Sequence, residues 1–245
     1  MKPALITCIV PVFNGEKYLA DALDSIVAQT YRPLEIIVAD DGSTDGTAAV
    51  VRAYKSRLRY FTQPNSGPAA ARNLGVRGAA GEFVAFLDAD DLWHPEKLAR
   101  QVACFERRPE LGYCVTHVQN FWVPELSDEK EKFNNHRLSN PLPGYVTQTL
   151  MARRAVFEIV GWFDPSLRHG DDTDWFLRAT DQGTLVELMP DVLVYRRLHH
   201  ANLSRAAAAS REEYLQIVKM ALDRRRRNEA RPPHSGSVVQ EKKNP

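Results

Sequence analysis

The chain begins with an apolar run, ALITCIV over residues 4–10, that stops at Pro11. Tyr18, Leu19, Ala22, Leu23, Ile26 and Val27 then recur at helical spacing. The same alternation follows three more times. LEIIVAD (34–40) reads as a second strand, with Asp45 placed to cap the helix TAAVVRAYKS. LRYFTQ (58–63) is a shorter third strand, after which Ser66-Gly67-Pro68 opens the helix AAARNLGVRGA. EFVAFLD (82–88) is a fourth, and Pro95 starts the helix EKLARQVACFERR. Strands that are apolar on both faces and interleaved with helices predict an α/β architecture with a mostly parallel sheet covered by helices on each side.

After residue 112 the pattern loosens. GYCVTHVQNFWV reads as a strand running into a loop, and residues 119–145 as a polar, proline-rich mobile excursion. Helical spacing resumes over 153–160, and GWFDPSLRHGDDTDWFLRATDQG gives a loop and a helix. TLVELMPDVLVYRRLHH predicts two short strands broken at Pro190, and residues 208–227 an amphipathic helix. The arginine run and the residues after it are low in apolar content and predict a disordered tail.

Sheets of this kind bind ligands beyond the carboxyl ends of their strands. Two acidic clusters fall there: Asp40-Asp41 after the second strand, and Asp88, Asp90 and Asp91 after the fourth. Crowded carboxylates at a strand end repel one another and lose hydration, unless a cation or hydrogen-bond donors sit among them. A divalent ion with a diphosphate is one arrangement that suits a DxD, because a hard cation takes one or two carboxylates and fills its shell with phosphate oxygens and water. The plain alternative is that Asp88 or Asp91 caps the next turn. A third cluster, Asp171, Asp172 and Asp174, opens a helix. One capping aspartate there is ordinary; three are better explained if one is a base.

Other motifs do not hold. Asp41, Ser43, Asp45 and Gly46 match the start of a calcium loop, but its last position is Arg52 rather than glutamate. GxxxxGK[ST] is absent, and no GxGxxG follows the first strand. The 245 residues carry a net charge of only +1, which gives no sign of a nucleic-acid partner. Cys8, Cys104 and Cys114 form no disulfide framework, so a reducing, cytoplasmic setting is expected. No apolar run reaches the roughly 18 residues needed to cross a bilayer. The N-terminal run lacks a small-residue cleavage site and reads as a strand. Arg224–Arg227 is a solvated helix end, or a patch for peripheral contact with an anionic membrane face.

Taken in order, IVPVFNGEKYLADALDSIVAQTY, EIIVADDGSTDGT, NSGPAAARNLGVRGAAGEFVAFLDADDLWHPEKL, GWFDPSLRHGDDTDWFLRA and YRRLHHANLSR resemble the family 2 glycosyltransferases of GT-A fold, over residues 4 to about 205. The resemblance implies a Rossmann-like single domain. Residues 1–111 would form a nucleotide-sugar-binding half. Residues 112–207 would form a smaller acceptor and base half, and 208–245 a C-terminal helix and tail. It also implies transfer of a sugar, with inversion, from a nucleotide-sugar donor (UDP-sugar foremost) to a hydroxyl on a glycan, lipid-linked or other acceptor.

On the matching positions, Pro11, Val12 and Glu16 would meet the nucleoside, and Asp40 and Asp41 the base and ribose. Arg72 would lie near the phosphates and Asp88 near the ribose or donor sugar. Asp90 would hold Mn2+ or Mg2+. His199, in HxxNxS with Asn202 and Ser204, would close over the diphosphate or join the metal, with His200 leaving the register open. Asp172 matches the base. Asp171 stands where the family more often has glutamate, which leaves open which of the two faces the acceptor. Trp162 and Trp175 are placed either to stack on an acceptor sugar or in the core.

Three rivals compete. A phosphohydrolase of the haloacid dehalogenase type also uses strand-DxD, but there the motif follows the first strand. A nucleotidyltransferase needs a glycine- and arginine-rich loop that PVFNGEKY lacks. A donor-binding protein without turnover would have no use for Asp172.

Overall fold

The computed structural model describes residues 3–54, 56–205 and 207–229. Its first half follows the predicted alternation: β1 (Ile6–Val12), α1 (Leu19–Val27), β2 (Leu34–Asp40), α2 (Thr47–Ala53), β3 (Arg59–Thr62), α3 (Pro68–Gly78) and β4 (Phe83–Phe86). These four strands are parallel in the order β3-β2-β1-β4. Side-chain alternation divides the core between the sheet's two faces. Ile6, Cys8, Val10 and Val12 of β1 pack with α1, whereas Ile9 packs with α3. Gly75 lets α3 lie close on β1, since a Cβ there would come within 2.3 Å of the Ile9 side chain.

The second half contains β5 (Leu92–Trp93), α4 (Lys97–Arg107), β6 (Tyr113–Trp122), α5 (Ser127–Lys132), β7 (Leu142–Pro143), β8 (Met151–Arg153), α6 (Val156–Val160), α7 (Asp171–Asp181), β9 (Val186–Leu198) and α8 (Ala207–Glu229). The sheet continues as β4-β8-β6-β9-β5, with β7 on β6. Here β8 runs antiparallel to β4 and β6, β5 antiparallel to β9, and β6 parallel to β9. The sheet is therefore parallel in its first half and mixed in its second.

Several expectations change. Pro11 does not end β1: it pairs with Ala39 of β2, and β4 pairs with β1 only as far as Ile9. Its missing N–H therefore falls where that side of the strand has no partner. Pro190 does not split the last strand, because it sits in a bulge where the register against β6 jumps from Leu188↔Val115 to Val192↔His117. The helical spacing of 153–160 yields only the short α6, and β8, just before it, is not expected from the pattern.

The 119–145 excursion is folded back rather than free. Asn120 Nδ2 donates to Leu138 O (2.9 Å), and Arg205 Nη1 and Nη2 donate to the Glu129 carboxylate (2.9 and 2.7 Å). The arginine run belongs to α8 and partly anchors it: Arg224 Nη1 donates to Asp174 Oδ1 (3.0 Å) and Arg225 Nε to Asp181 Oδ1 (2.7 Å). The expected disordered tail, from residue 230 on, lies outside the described residues. Among the described residues no helix is long and apolar enough to cross a membrane, and Cys8, Cys104 and Cys114 are free and buried.

Candidate active site

The carboxyl ends of β1 and β4, the loops after β2 and β3, the loop after β9 and the first turn of α7 enclose a cleft of about 960 Å3. Pro11, Val12, Asp41, Arg72, Asp88, Asp90, Asp171, Asp172, His199 and His200 line it. Glu16 and Asp40 do not. Glu16 is exposed, and its Oε2 accepts the Gly46 N–H (2.6 Å), tying the β1 loop to the start of α2. Asp40 is the last residue of β2 and is buried; it accepts the Ser43 N–H (2.8 Å) and the Tyr60 hydroxyl. Its neighbour Asp41 faces the cleft. Its carboxylate accepts Gln63 Nε2 (2.7 Å) and the backbone N–H groups of Ser66 (2.9 Å) and Gly67 (2.8 Å), which fixes the loop that opens α3.

Arg72 is buried on α3 and joins the two halves of the site. Its Nη2 donates to Asp88 Oδ1 (3.1 Å) and its Nη1 to Asp171 Oδ2 (2.7 Å). Two carboxylates from opposite sides of the cleft share one guanidinium, whose planar fork presents both donors at once. Arg72→Met is expected to destabilise the fold by about 3 kcal/mol, because the two carboxylates are left without a counter-charge. Arg72→Lys should recover only part, since an ammonium lacks the fork. Urea denaturation midpoints of the three proteins check this.

Helix α7 begins at Gly170, whose left-handed φ of +73° turns the chain into the cleft. The helix N-terminus favours the acidic residues of its first turn, and each has a different fate. Asp174 is buried, ion-paired to Arg178 (2.8 Å) and Arg224 (3.0 Å). Asp171 is held by Arg72. Asp172 accepts the Thr173 N–H at Oδ1 (2.7 Å) and lines the cleft. Burial, and then the adjacent Asp171 charge, push its pKa up to about 6, with Arg72 opposing the rise. Both residues line the cleft, but only Asp171 is bonded to Arg72. Trp175 is fully buried and Trp162 lies on the surface against Arg77, so neither lines the cleft.

On the other side, Asp90 Oδ2 lies 2.9 Å from His199 Nε2 and accepts Asn202 Nδ2 (3.0 Å). His199, rather than His200, meets the carboxylate. Asp91 is buried beneath, accepting the Arg197 N–H (2.8 Å) and Gln148 Nε2 (3.1 Å). Burial and the charges of Asp90 and Asp88 hold it well above the usual carboxylate range. Arg197 also donates from Nε to Asp90 O (2.9 Å). Residue spacing gave no sign of Arg197 or Gln148, because both reach the acidic loop from distant parts of the chain.

Among the described residues no three His, Cys, Asp or Glu side chains form a complete metal cage. Asp90 and His199 offer one oxygen and one nitrogen donor side by side at the cleft. That fits a hard divalent cation that takes few protein ligands and completes its shell with phosphate and water.

The glycosyl transferase family 2 model matches residues 7–161, across the β1 loop, the acidic strand ends and Arg72. The chain belongs to this family. Membership sets aside the phosphohydrolase reading. An uncharacterized glycosyltransferase of Rickettsia typhi is 33% identical over 225 residues, spanning 86% of this chain and 69% of that relative. Among solved structures, TarS of S. aureus in complex with UDP is 26% identical with a TM-score of 0.64, over 79% of this chain and 60% of that one. A mannosyltransferase from Pyrobaculum calidifontis in complex with GDP-Man and Mn2+ is 25% identical with a TM-score of 0.69, over 89% of this chain and 64% of that one. The family 2 chain described here thus spans less than two thirds of these two solved structures.

Proposed function

We propose that this chain is an inverting glycosyltransferase that moves a sugar from a nucleoside diphosphate donor, a uridine diphosphate sugar foremost, to an acceptor hydroxyl. The observation that carries the reading is the unequal pair at the start of α7: Asp171 is neutralised by Arg72, while Asp172 faces the cleft with its pKa raised to about 6. A carboxylate poised there suits a general base near neutral pH. The UDP complex of TarS and the GDP-Man and Mn2+ complex of the mannosyltransferase support a nucleotide-sugar donor and a divalent ion.

In this mechanism the nucleoside lies against Pro11, Val12 and Asp41, and the donor sugar near Asp88. Glu16 and Asp40 act from behind, by fixing the loops. Asp172 takes the proton from the acceptor hydroxyl as its oxygen forms a bond to the anomeric carbon. That attack comes from the face opposite the diphosphate, whose bond to the same carbon breaks. Arg72 pairs with Asp171 and ties the base helix to the donor side. Asp90 and His199 would hold Mn2+ or Mg2+, which when bound offsets the charge gathering on the departing diphosphate.

The test is a screen of uridine, guanosine and thymidine diphosphate sugars with Mn2+ and Mg2+, read as release of nucleoside diphosphate. Metal-dependent release is expected, highest with uridine donors. Asp90→Ala should lower metal-dependent donor affinity by more than the roughly 10–100-fold that an outer-shell partner costs, read by calorimetric titration with and without chelator. Donor binding with no turnover under any of these conditions would instead make the protein a binding module.

A further inference from the structure

Asn202 makes three hydrogen bonds around the Asp90–His199 pair. Its Nδ2 donates to Asp90 Oδ2 (3.0 Å) and to Arg197 O (3.0 Å), and its Oδ1 accepts the His199 N–H (2.6 Å). These partners fix the amide's orientation: the edge facing two acceptors must be the NH2, and the edge facing an N–H must be the oxygen. One side chain therefore grips the backbone on both sides of residue 198 and the carboxylate that His199 Nε2 meets at 2.9 Å. Asp90 and Asn202 stand 112 residues apart in sequence, so nothing local holds them together. The Tyr18 ring packs 4.8 Å from the His199 ring and limits its swing.

We propose that Asn202 is a positioning residue that preassembles Asp90 and His199 as a two-point seat for a divalent cation, without itself being a ligand. This rests on the metal reading of the preceding subsection. Asp90 Oδ2 already accepts from Asn202 and meets His199 Nε2, so a cation would take Asp90 Oδ1, or share Oδ2 in place of the His199 contact, with the Asn202 bond kept. Without the amide, Arg197 still ties the end of β9 to the acidic loop, but the turn that carries His199 loses its brace to Asp90, and the two donors are held less closely before binding. Outer-shell partners of this kind change metal affinity by about 10–100-fold.

The experiment titrates Mn2+ into the full chain, with UDP present, and follows free Mn2+ by its electron paramagnetic resonance signal. Wild type is compared with Asn202→Ala, with Asn202→Leu, which keeps the bulk and removes the hydrogen bonds, and with Asp90→Ala. Thermal midpoints and UDP binding in chelator are measured alongside. The expected result is Mn2+ affinity about tenfold or more weaker in both Asn202 variants, a larger loss than any change in UDP binding in chelator. Unchanged Mn2+ affinity, with or without a lower midpoint, overturns the proposal and leaves Asn202 a loop-packing residue. Tighter Mn2+ binding overturns it the other way, making the amide a plug over Asp90. If wild type binds no Mn2+ the metal reading itself fails and this one with it; if wild type binds and only the Asn202 effect is missing, the metal reading stands.

Discussion

Asp172→Asn should bind the donor as tightly as wild type and transfer sugar about 10²–10⁴ times more slowly, the span expected on losing a general base. The amide keeps the shape of the side chain and the hydrogen bond from Thr173, but it cannot take a proton. The pH dependence supplies a second readout. Asp172 is raised from 3.8 to about 6, mainly by burial and then by Asp171. A base works only when deprotonated, so the wild-type transfer rate should climb with pH through about 6 and level off above it. Asp172→Asn should lack that limb. Asp171→Asn removes a neighbouring negative charge and should move the limb to lower pH. Transfer by Asp172→Asn at the parental rate would sink the base assignment.

Lys97→Met should make the protein more stable, by about 2 kcal/mol at neutral pH. Lys97 is fully buried on α4, its Nζ 4.2 Å from the centre of the Trp93 ring and bonded to Gln101 Oε1 (2.8 Å). The ionisable groups that act on it are the thiols of Cys8 and Cys114, and burial lowers its pKa from 10.5 to about 7. In the unfolded chain the amine regains its ordinary pKa. Between about 7 and 10.5 the unfolded state thus binds more protons, so stability falls as pH drops across that window and is flat below it. At about 1.4 kcal/mol per pKa unit the amine costs the fold roughly 4–5 kcal/mol near pH 7. Against this, the methionine side chain would leave Gln101 Oε1 without its donor, at about 1–3 kcal/mol. The difference favours methionine. Urea midpoints from pH 7 to 10 should rise with pH in wild type and much less in the variant. A variant less stable than wild type at neutral pH would mean that Lys97 is compensated in the fold.

Periodicity was a good guide where one element packs on the next. β1 through β4 and their helices alternate within the chain as they do in space, and the acidic clusters sit where parallel strands end. It failed where distant segments decide. β8 pairs with β4 across more than sixty residues and carries no spacing of its own. The Asp40-Asp41 dipeptide gave no way to choose between its members, because the choice is made by β3 and the loop after it: Tyr60 claims one and the amides of Ser66 and Gly67 the other. Lys97 reads as an ordinary surface lysine in EKLARQVACFERR until β5 and the 147–149 turn close over it, with Trp93 Nε1 on Gln148 O (3.0 Å) and Gln101 Nε2 on Thr149 O (2.9 Å). Asp172 was legible as one of three candidates. That the two adjacent aspartates differ in their partners was not legible, because Asp171 bonds to Arg72, ninety-nine residues away.

The guanidinium shared by Asp88 and Asp171 also limits how such an enzyme can be rebuilt. A chimera that keeps β1 through β4 and replaces the segment carrying α7 inherits an arginine expecting a carboxylate across the seam. A segment with a neutral residue at that junction would leave the buried cation with Asp88 alone, whereas one with glutamate or aspartate there would restore the second partner. Any such replacement has one charge to match at this seam before any question of substrate arises.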